Sequence, residues 1–256
     1  MMKSLGSVMQ GYKLKIQQAA KANGIDLDLT AETPKQRKER KRKEELAATV
    51  GLRKRKNKGL YSMSLWPADI PLEFTFKDWK PEMQPNQQRA KDLGNQAYVL
   101  AKRLERGPFN VIMLGRAGTG KTSLALAIMN DLREKGQSAM FVSTAELQAL
   151  YSDAMQLDDV REDLWKLKRA MKEVDVLILD DFGTEGGLDN RMVRRDMQSG
   201  IYQIANARIG KTTILTTNNS PRELAKMYDR KIISRLLPKH KEQQLLFSDM
   251  KDVRKV

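Results

Sequence analysis

The sequence predicts a three-layer α/β fold, a parallel sheet covered by helices on both faces and built around a phosphate-binding loop, with a small basic helical module ahead of it. Three observations lead there. From Asn110 onwards short apolar runs alternate with longer helical patterns; one such run leads into Gly115-Arg116-Ala117-Gly118-Thr119-Gly120-Lys121-Thr122; and residues 1–60 hold sixteen Lys and Arg against six Asp and Glu, about two-thirds of the chain's net +15.

Each element has a local reason. Leu5, Met9, Tyr12, Ile16 and Ala19 recur at steps of four and three, which predicts an amphipathic helix over about 3–22 with its stop at Asn23-Gly24. Thr33-Pro34-Lys35-Gln36 reads as a capping box opening a second helix. Lys35 to Glu45 contains no apolar residue, so that helix has no face to bury there. A second basic stretch, GLRKRKNKGL, and a linker punctuated by Pro67, Pro71, Pro81 and Pro85 follow. The expected division is a basic helical module at 1–60, a linker and lead-in at 61–85, and the α/β domain at 86–256.

Strands are expected at about 110–114, 139–143, 175–180, 212–217 and 244–247, and helices at 86–105, 121–135, 144–155, 160–173, 190–207 and 221–236. Trp66 and Trp165 read as packing residues and His240, between two lysines, as exposed. No internal repeat stands out.

Composition narrows the chemistry. In 256 residues with 40% apolar content there is no Cys and one His, which removes disulfide and thiolate-zinc frameworks and leaves only a hard, oxygen-ligated metal. No apolar run approaches the ~20 residues that span a bilayer, and charges interrupt the start where a signal peptide needs an apolar stretch, so the expected location is cytoplasmic. The positive surplus favours a polyanionic partner.

The 115–122 string matches the template G-x-x-x-x-G-K-[ST], and it follows an apolar strand and opens a helix, as its mechanism requires. Main-chain N–H groups from Gly115, Ala117, Gly118, Thr119, Gly120, Lys121, Thr122 and Ser123 would cradle phosphates; Lys121 would reach the β and γ phosphates and Thr122 would ligate magnesium. VDVLILDD, residues 174–181, is an apolar strand ending in two acids. Asp180 would hold magnesium and Asp181 would orient or deprotonate the attacking water; the bland reading of the pair is a solvated turn. Asn218, ending a further apolar strand, is a candidate to contact that water or the γ-phosphate, or else caps the helix at Pro221. Arg235 could reach a neighbouring subunit's γ-phosphate and make nucleotide the glue of an oligomer.

These four elements, in this order, resemble the AAA+ ATPases, with Walker A at 115–122, Walker B at 176–181, sensor 1 at Asn218 and the arginine-finger box at 230–236. Within them the chain is most similar to bacterial and phage helicase loaders of the DnaC/DnaI type and to the transposition helper IstB. The likeness covers about 72–256 and includes FTFKDWKPEMQPNQQRAKDL, FVSTAEL, DDFG and FSDMKDVR. It implies ATP and Mg2+, a homo-oligomer joined through Arg235 in trans, and, by the short stretch after Arg235, a core lacking a full helical lid. It also makes Phe76, Trp79 and Gln87 candidates to flank adenine, an aromatic pair there being equally able to close the core. Two departures stand out: a basic helical module replaces the Cys-rich zinc module of the DnaI type, and Asp181 stands where many AAA+ enzymes have Glu, which implies slow, switch-like hydrolysis.

For a loader the implied partners are a DnaB-family replicative helicase, held through the N-terminal module, and single-stranded DNA. Arg191, Arg194 and Arg195, after Walker B, are the candidate DNA contacts, with Arg161, Lys166, Lys168, Arg169 and Lys172 as a second set. The apolar stripe of the first helix would lie in a partner's groove or pack on its own neighbouring helix; the block 35–58 would meet DNA or an acidic partner, or be a solvated linker. The alternative functions are an IstB-like ATPase that binds duplex DNA and assists a transposase, and a nucleotide-gated DNA-binding scaffold with negligible hydrolysis.

Overall fold

The computed structural model describes residues 5–24, 34–187 and 191–253, without the side chains of 5–11 and 13. The side chains of Leu5 and Met9 of the expected stripe, together with Thr33 of the capping box, residues 188–190 after the acidic strand, and Arg254, lie outside that description. The chain divides into two units, Met1–Arg53 and Lys54–Val256.

In the first unit α1 (Leu5–Ala22) leaves Tyr12 67% and Ile16 50% exposed, with Ala20 buried. Helix α2 (Pro34–Ser62) crosses the division. Its Leu46, Val50 and Leu52 are exposed, and Leu60 is buried. The helix therefore runs past the first residues of the expected linker.

In the second unit the strands β1 (Val111–Leu114), β2 (Ala139–Ser143), β3 (Val176–Asp180), β4 (Thr212–Thr217) and β5 (Gln244–Leu246) form one parallel sheet in the spatial order β2-β3-β4-β1-β5. Successive side chains of a strand point to opposite faces, and both faces are covered. Leu177 and Leu179 pack with Met140, Val142 and Leu215 under α5 (Thr144–Asp153), α6 (Asp158–Glu173) and α7 (Arg195–Ala207). Val176 and Ile178 pack with Met113, Phe141 and Ile214 under α3 (Gln87–Arg106) and α4 (Lys121–Glu134). The expected three layers are present.

Beyond β2 the segment read as linker adds a short edge. The Leu65 N–H donates to the Phe141 carbonyl at 2.8 Å, the Ser143 N–H donates to the Leu65 carbonyl at 2.9 Å, and Trp66 stacks on Phe141 at 4.5 Å between centroids. Trp66 is thus a packing residue. Trp165 is not: it is 60% exposed on α6, because Leu164, Leu167, Ala170 and Met171 already fill that helix's buried face.

The single helix expected at 221–236 is two, α8 (Pro221–Met227) and α9 (Arg230–Leu236). Tyr228 is extended, and the Asp229 carboxylate accepts the Lys231 N–H at 2.7 Å, so a new N-cap restarts the chain in another direction. The helix expected from 190 begins at Arg195. At the strand-entry end of the sheet the buried Arg208 guanidinium donates to the carbonyls of Met171, Val174, Asp175 and Thr212 and to the Thr213 hydroxyl. Burial lowers its pKa to about 9. Among the described residues no helix is long and apolar enough to cross a membrane.

Candidate nucleotide site

Parallel strands deliver their carboxyl ends to one edge, where crevices for ligands form. Here the register pairs Leu114 with Thr217, Met113 with Thr216 and Ser143 with Asp180, so the loop after β1 faces the acids after β3 and the Thr-Thr-Asn end of β4. The loop turns at Gly118 (φ +73°) and Gly120 (φ +96°), left-handed conformations that glycine adopts without strain. Space demands glycine as well. A Cβ on Gly120 would lie 2.7 Å from the Trp79 ring, and one on Gly118 would collide with the Asp252 carboxylate. Helix α4 opens at Lys121 and directs its first N–H groups into the loop, the arrangement that favours an anion.

The predicted side chains meet there. Lys121, 4% exposed, donates from Nζ to the Arg116 carbonyl and to Asn218 Oδ1, each at 2.8 Å. The Thr122 hydroxyl donates to Asp180 Oδ1 at 2.8 Å, and the Thr216 hydroxyl donates to the same oxygen at 2.6 Å. Asp180 is 5% exposed, and its burial pushes the carboxyl pKa up to about 6, against the pull of the two hydroxyls and Lys121.

Asp181 is built differently. Its φ of +53° puts a non-glycine residue in the left-handed region, and its carboxylate is exposed. Four hydrogen bonds hold that backbone: its N–H donates to Thr216 Oγ1 at 2.9 Å, and its carbonyl accepts from Thr144 Oγ1 at 2.9 Å, from Thr184 Oγ1 at 2.6 Å and from the Thr184 N–H at 3.1 Å. Glu185, buried, takes the Gly183 N–H at 2.7 Å and pins the same turn; burial raises its pKa. Beside it Phe182 stacks on Tyr228 with centroids 4.3 Å apart, joining the turn to the break between α8 and α9.

A carboxylate and a hydroxyl sharing one hydrogen bond are the donor set of a hard, oxygen-ligated cation. Among the described residues no group of three or more His, Cys, Asp or Glu gathers, so a divalent ion here would take its remaining ligands from phosphate and water.

The lead-in and the C-terminal segment frame the loop. Trp79 lies against Gly94 and Gly120 and donates from Nε1 to the Ala90 carbonyl at 2.9 Å. Phe76 instead meets Tyr98 edge to face, with centroids 5.4 Å apart, and Gln87 is exposed at the start of α3. Gln84 exchanges two 2.8 Å hydrogen bonds with the backbone of Lys251, and the Val253 N–H donates to the Gly118 carbonyl at 3.2 Å.

Other predicted residues lie apart from this cluster. Arg235, on α9, donates to Asn206 Oδ1 at 3.2 Å and to the Lys231 carbonyl at 3.0 Å, and its guanidinium lies 5.0 Å from the Tyr202 ring centroid. Arg194 is engaged by Asp196 at 2.6 Å and by Ser152 Oγ at 2.8 Å. The Arg191 N–H donates to the Gly186 carbonyl at 2.8 Å, while Arg195 lines a cleft of about 380 Å³ with Met192, Gln198 and Tyr202. On α6, Arg161 pairs with Asp158, and Lys166 pairs with Glu162 and Asp163. Thr216 and Thr144 were not singled out from sequence. The Thr-Thr doublet closing β4 was the available signal for Thr216; nothing local distinguishes Thr144.

The family model described as "IstB-like ATP binding protein" matches residues 14–239. The chain is 27% identical over 127 residues to the replicative helicase loader DnaC of Escherichia coli K12, covering 49% of each chain. It is 30% identical over 154 residues to the insertion sequence IS21 putative ATP-binding protein of Pseudomonas aeruginosa, covering 59% of this chain and 52% of that one. It thus spans about half the length of these curated relatives. The fold is similar to the crystal structure of the DnaI, with a TM-score of 0.53 at 22% identity over 68% of this chain and 90% of that one. With its phosphate loop, acidic strand end and parallel sheet in place, the chain belongs to the IstB-like ATP-binding proteins, a DnaC/IstB-like branch of the AAA+ ATPases.

Proposed function

We propose that this chain is an ATP-controlled loader that binds a DnaB-family replicative helicase and delivers it onto single-stranded DNA in the cytoplasm. The observation that carries the reading is the meeting of Lys121, Thr122, Asp180 and Asn218 through 2.8 Å hydrogen bonds at the carboxyl edge of the sheet, beside Asp181. The likeness to DnaC supports the choice of a helicase as partner.

In this reading the loop N–H groups from Gly115 to Ser123 and the Lys121 ammonium bind the triphosphate, and Thr122 and Asp180 hold Mg2+, which neutralises phosphate charge when bound. Asp181, exposed beside the loop, takes the proton of the attacking water as its oxygen bonds to the γ phosphorus; the bond to the β–γ bridging oxygen breaks, giving ADP and phosphate. Asn218 orients that water or the γ oxygens. Arg235 completes the site of a neighbouring subunit, so ATP assembles the oligomer and hydrolysis resets it. Residues 1–60 hold the helicase, 61–85 lead in, and 86–256 form the ATPase. Arg191, Arg194 and Arg195 contact the strand.

A second reading, a helper that binds duplex DNA and assists a transposase, is favoured by the family match and the IS21 relative. Co-purification with a DnaB-family helicase, with and without residues 1–60, separates the two. The loader reading expects capture by the full chain and loss on truncation, with single strands bound better than duplex. Capture of a transposase together with duplex preference overturns it.

A further inference from the structure

No step of the proposed hydrolysis uses Glu185, a buried acid four residues after Asp181. It lies in the turn Thr184–Gly186 and is 7% exposed. A carboxylate is rarely buried so far unless it holds something, because leaving water costs the charge its hydration. One oxygen, Oε2, accepts the Gly183 N–H at 2.7 Å. The other, Oε1, has no hydrogen-bond partner among the described residues, and neither has the hydroxyl of Tyr228, which is 2% exposed. The two groups lie near each other: burial and then the Glu185 charge push the Tyr228 pKa well above the ordinary 10.

The turn around this acid is one that relaxes unless held. Asp181, at φ +53°, is a non-glycine residue in the left-handed region, and Gly183 follows at φ +106°. The Thr184 N–H and hydroxyl close the turn on the Asp181 carbonyl, and Glu185 meets the Gly183 N–H inside it. Close packing locks the far side. A Cβ on Gly183 would lie 2.8 Å from Asn219 Oδ1 and 2.9 Å from Leu224 Cδ2, and one on Gly186 would collide with Met227 Cε. Removal of the carboxylate would strand the buried Gly183 N–H and free Asp181 to move toward an ordinary backbone conformation, turning its side chain away from the phosphate loop.

We infer that Glu185 is a positioning residue for hydrolysis: from inside the turn it holds Asp181 where its carboxylate can take the proton of the attacking water, with the Tyr228 hydroxyl backing the acid. This rests on the reading that the chain hydrolyses ATP with Asp181 as base, and adds to it a residue that touches neither nucleotide nor water.

The test follows the full chain with Mg2+-ATP by single-turnover hydrolysis, ATP titration and thermal unfolding. E185A is expected to hydrolyse more slowly, on the order of ten- to a hundredfold, while binding ATP within a few-fold of wild type. E185Q, whose amide oxygen can still accept the Gly183 N–H, should recover most of that rate. Y228F loses an unpaired hydroxyl and keeps the ring stacked on Phe182, so it should unfold no earlier than wild type and fall between wild type and E185A in rate. In a D181N background E185A should cost little more, because its effect passes through Asp181. A wild-type rate in E185A, equal losses of rate and ATP affinity, or a full further loss on top of D181N overturns the positioning role and leaves the ATPase reading intact. Should E185A not fold, Y228F decides, and its turning over at the wild-type rate overturns the inference. No hydrolysis by the wild type overturns both.

Discussion

Lys121 Nζ donates a 2.8 Å hydrogen bond to Asn218 Oδ1, tying the phosphate loop to the end of β4. A lysine so placed is oriented before phosphate arrives, and the asparagine is held at the same crevice. The two groups should act as a unit. In a double-mutant cycle of K121A and N218A, read by single-turnover hydrolysis, the double variant is expected to be little worse than K121A, with a coupling of about 0.5–3 kcal/mol. Strictly additive losses would show that the contact has no bearing on the reaction. N218A alone should keep nucleotide affinity within a few-fold and lose rate on the order of a hundredfold.

Asp180 opposes stability to function. Its folded pKa of about 6 lies above the ordinary 3.8, so its contribution to folding is full below pH ~4 and is lost as pH rises through 6. The cost of ionising the buried acid by neutral pH is about 3 kcal/mol. D180N, which can still accept from Thr122 and Thr216, should therefore unfold at a higher temperature than wild type at pH 8 and show little advantage at pH 4. The same variant should lose Mg2+-dependent ATP turnover. In the wild type, Mg2+-ATP affinity should fall as pH drops through 6, because the protonated acid no longer offers the cation its charge. Melting curves and nucleotide titrations across that range check both signs.

Which parts were legible from sequence follows from where their causes lie. The loop at 115–122, the strand ending at Asp180 and the helix opening at Lys121 are short patterns whose chemistry is local, and they stand as read. The break at Tyr228 and Asp229 was hidden, because the pattern 221–236 continues through it and only an N-cap and the Phe182 stack reveal the change of direction. The edge at Leu65 and the Thr144 bond to the Asp181 carbonyl depend on partners far along the chain. Trp165 was misread for a similar reason: its composition suggests core, and only the packing of α6 shows that the buried face was already full.

Arg208 offers a prediction about the scaffold. Its guanidinium satisfies carbonyls at the ends of α6 and at the entry of β4, all buried or partly buried. R208A would strand those acceptors, at a cost of roughly 3–5 kcal/mol. R208K keeps the charge but not the planar fork, so it should fall between wild type and R208A in chemical denaturation. The two variants ranking together with wild type would show that water replaces the fork without loss.

The Arg235 side chain makes its contacts on α7 and α9, with Asn206, Lys231 and Tyr202, away from the Lys121–Asp180 cluster of its own chain. If it serves a neighbour's nucleotide, two defective variants should repair each other. R235A keeps an intact phosphate loop but cannot complete the next subunit; K121A has a dead loop but a sound arginine. Each alone should hydrolyse ATP at least a hundredfold more slowly than wild type. Mixed together, they form interfaces that join a sound loop to a sound arginine, and a measurable fraction of activity should return in proportion to the mixing ratio. A mixture as inactive as its components would place the action of Arg235 within its own subunit, or outside the reaction. R235A should also bind nucleotide normally at dilutions where the chain is monomeric, which separates a loss of catalysis from a loss of the pocket.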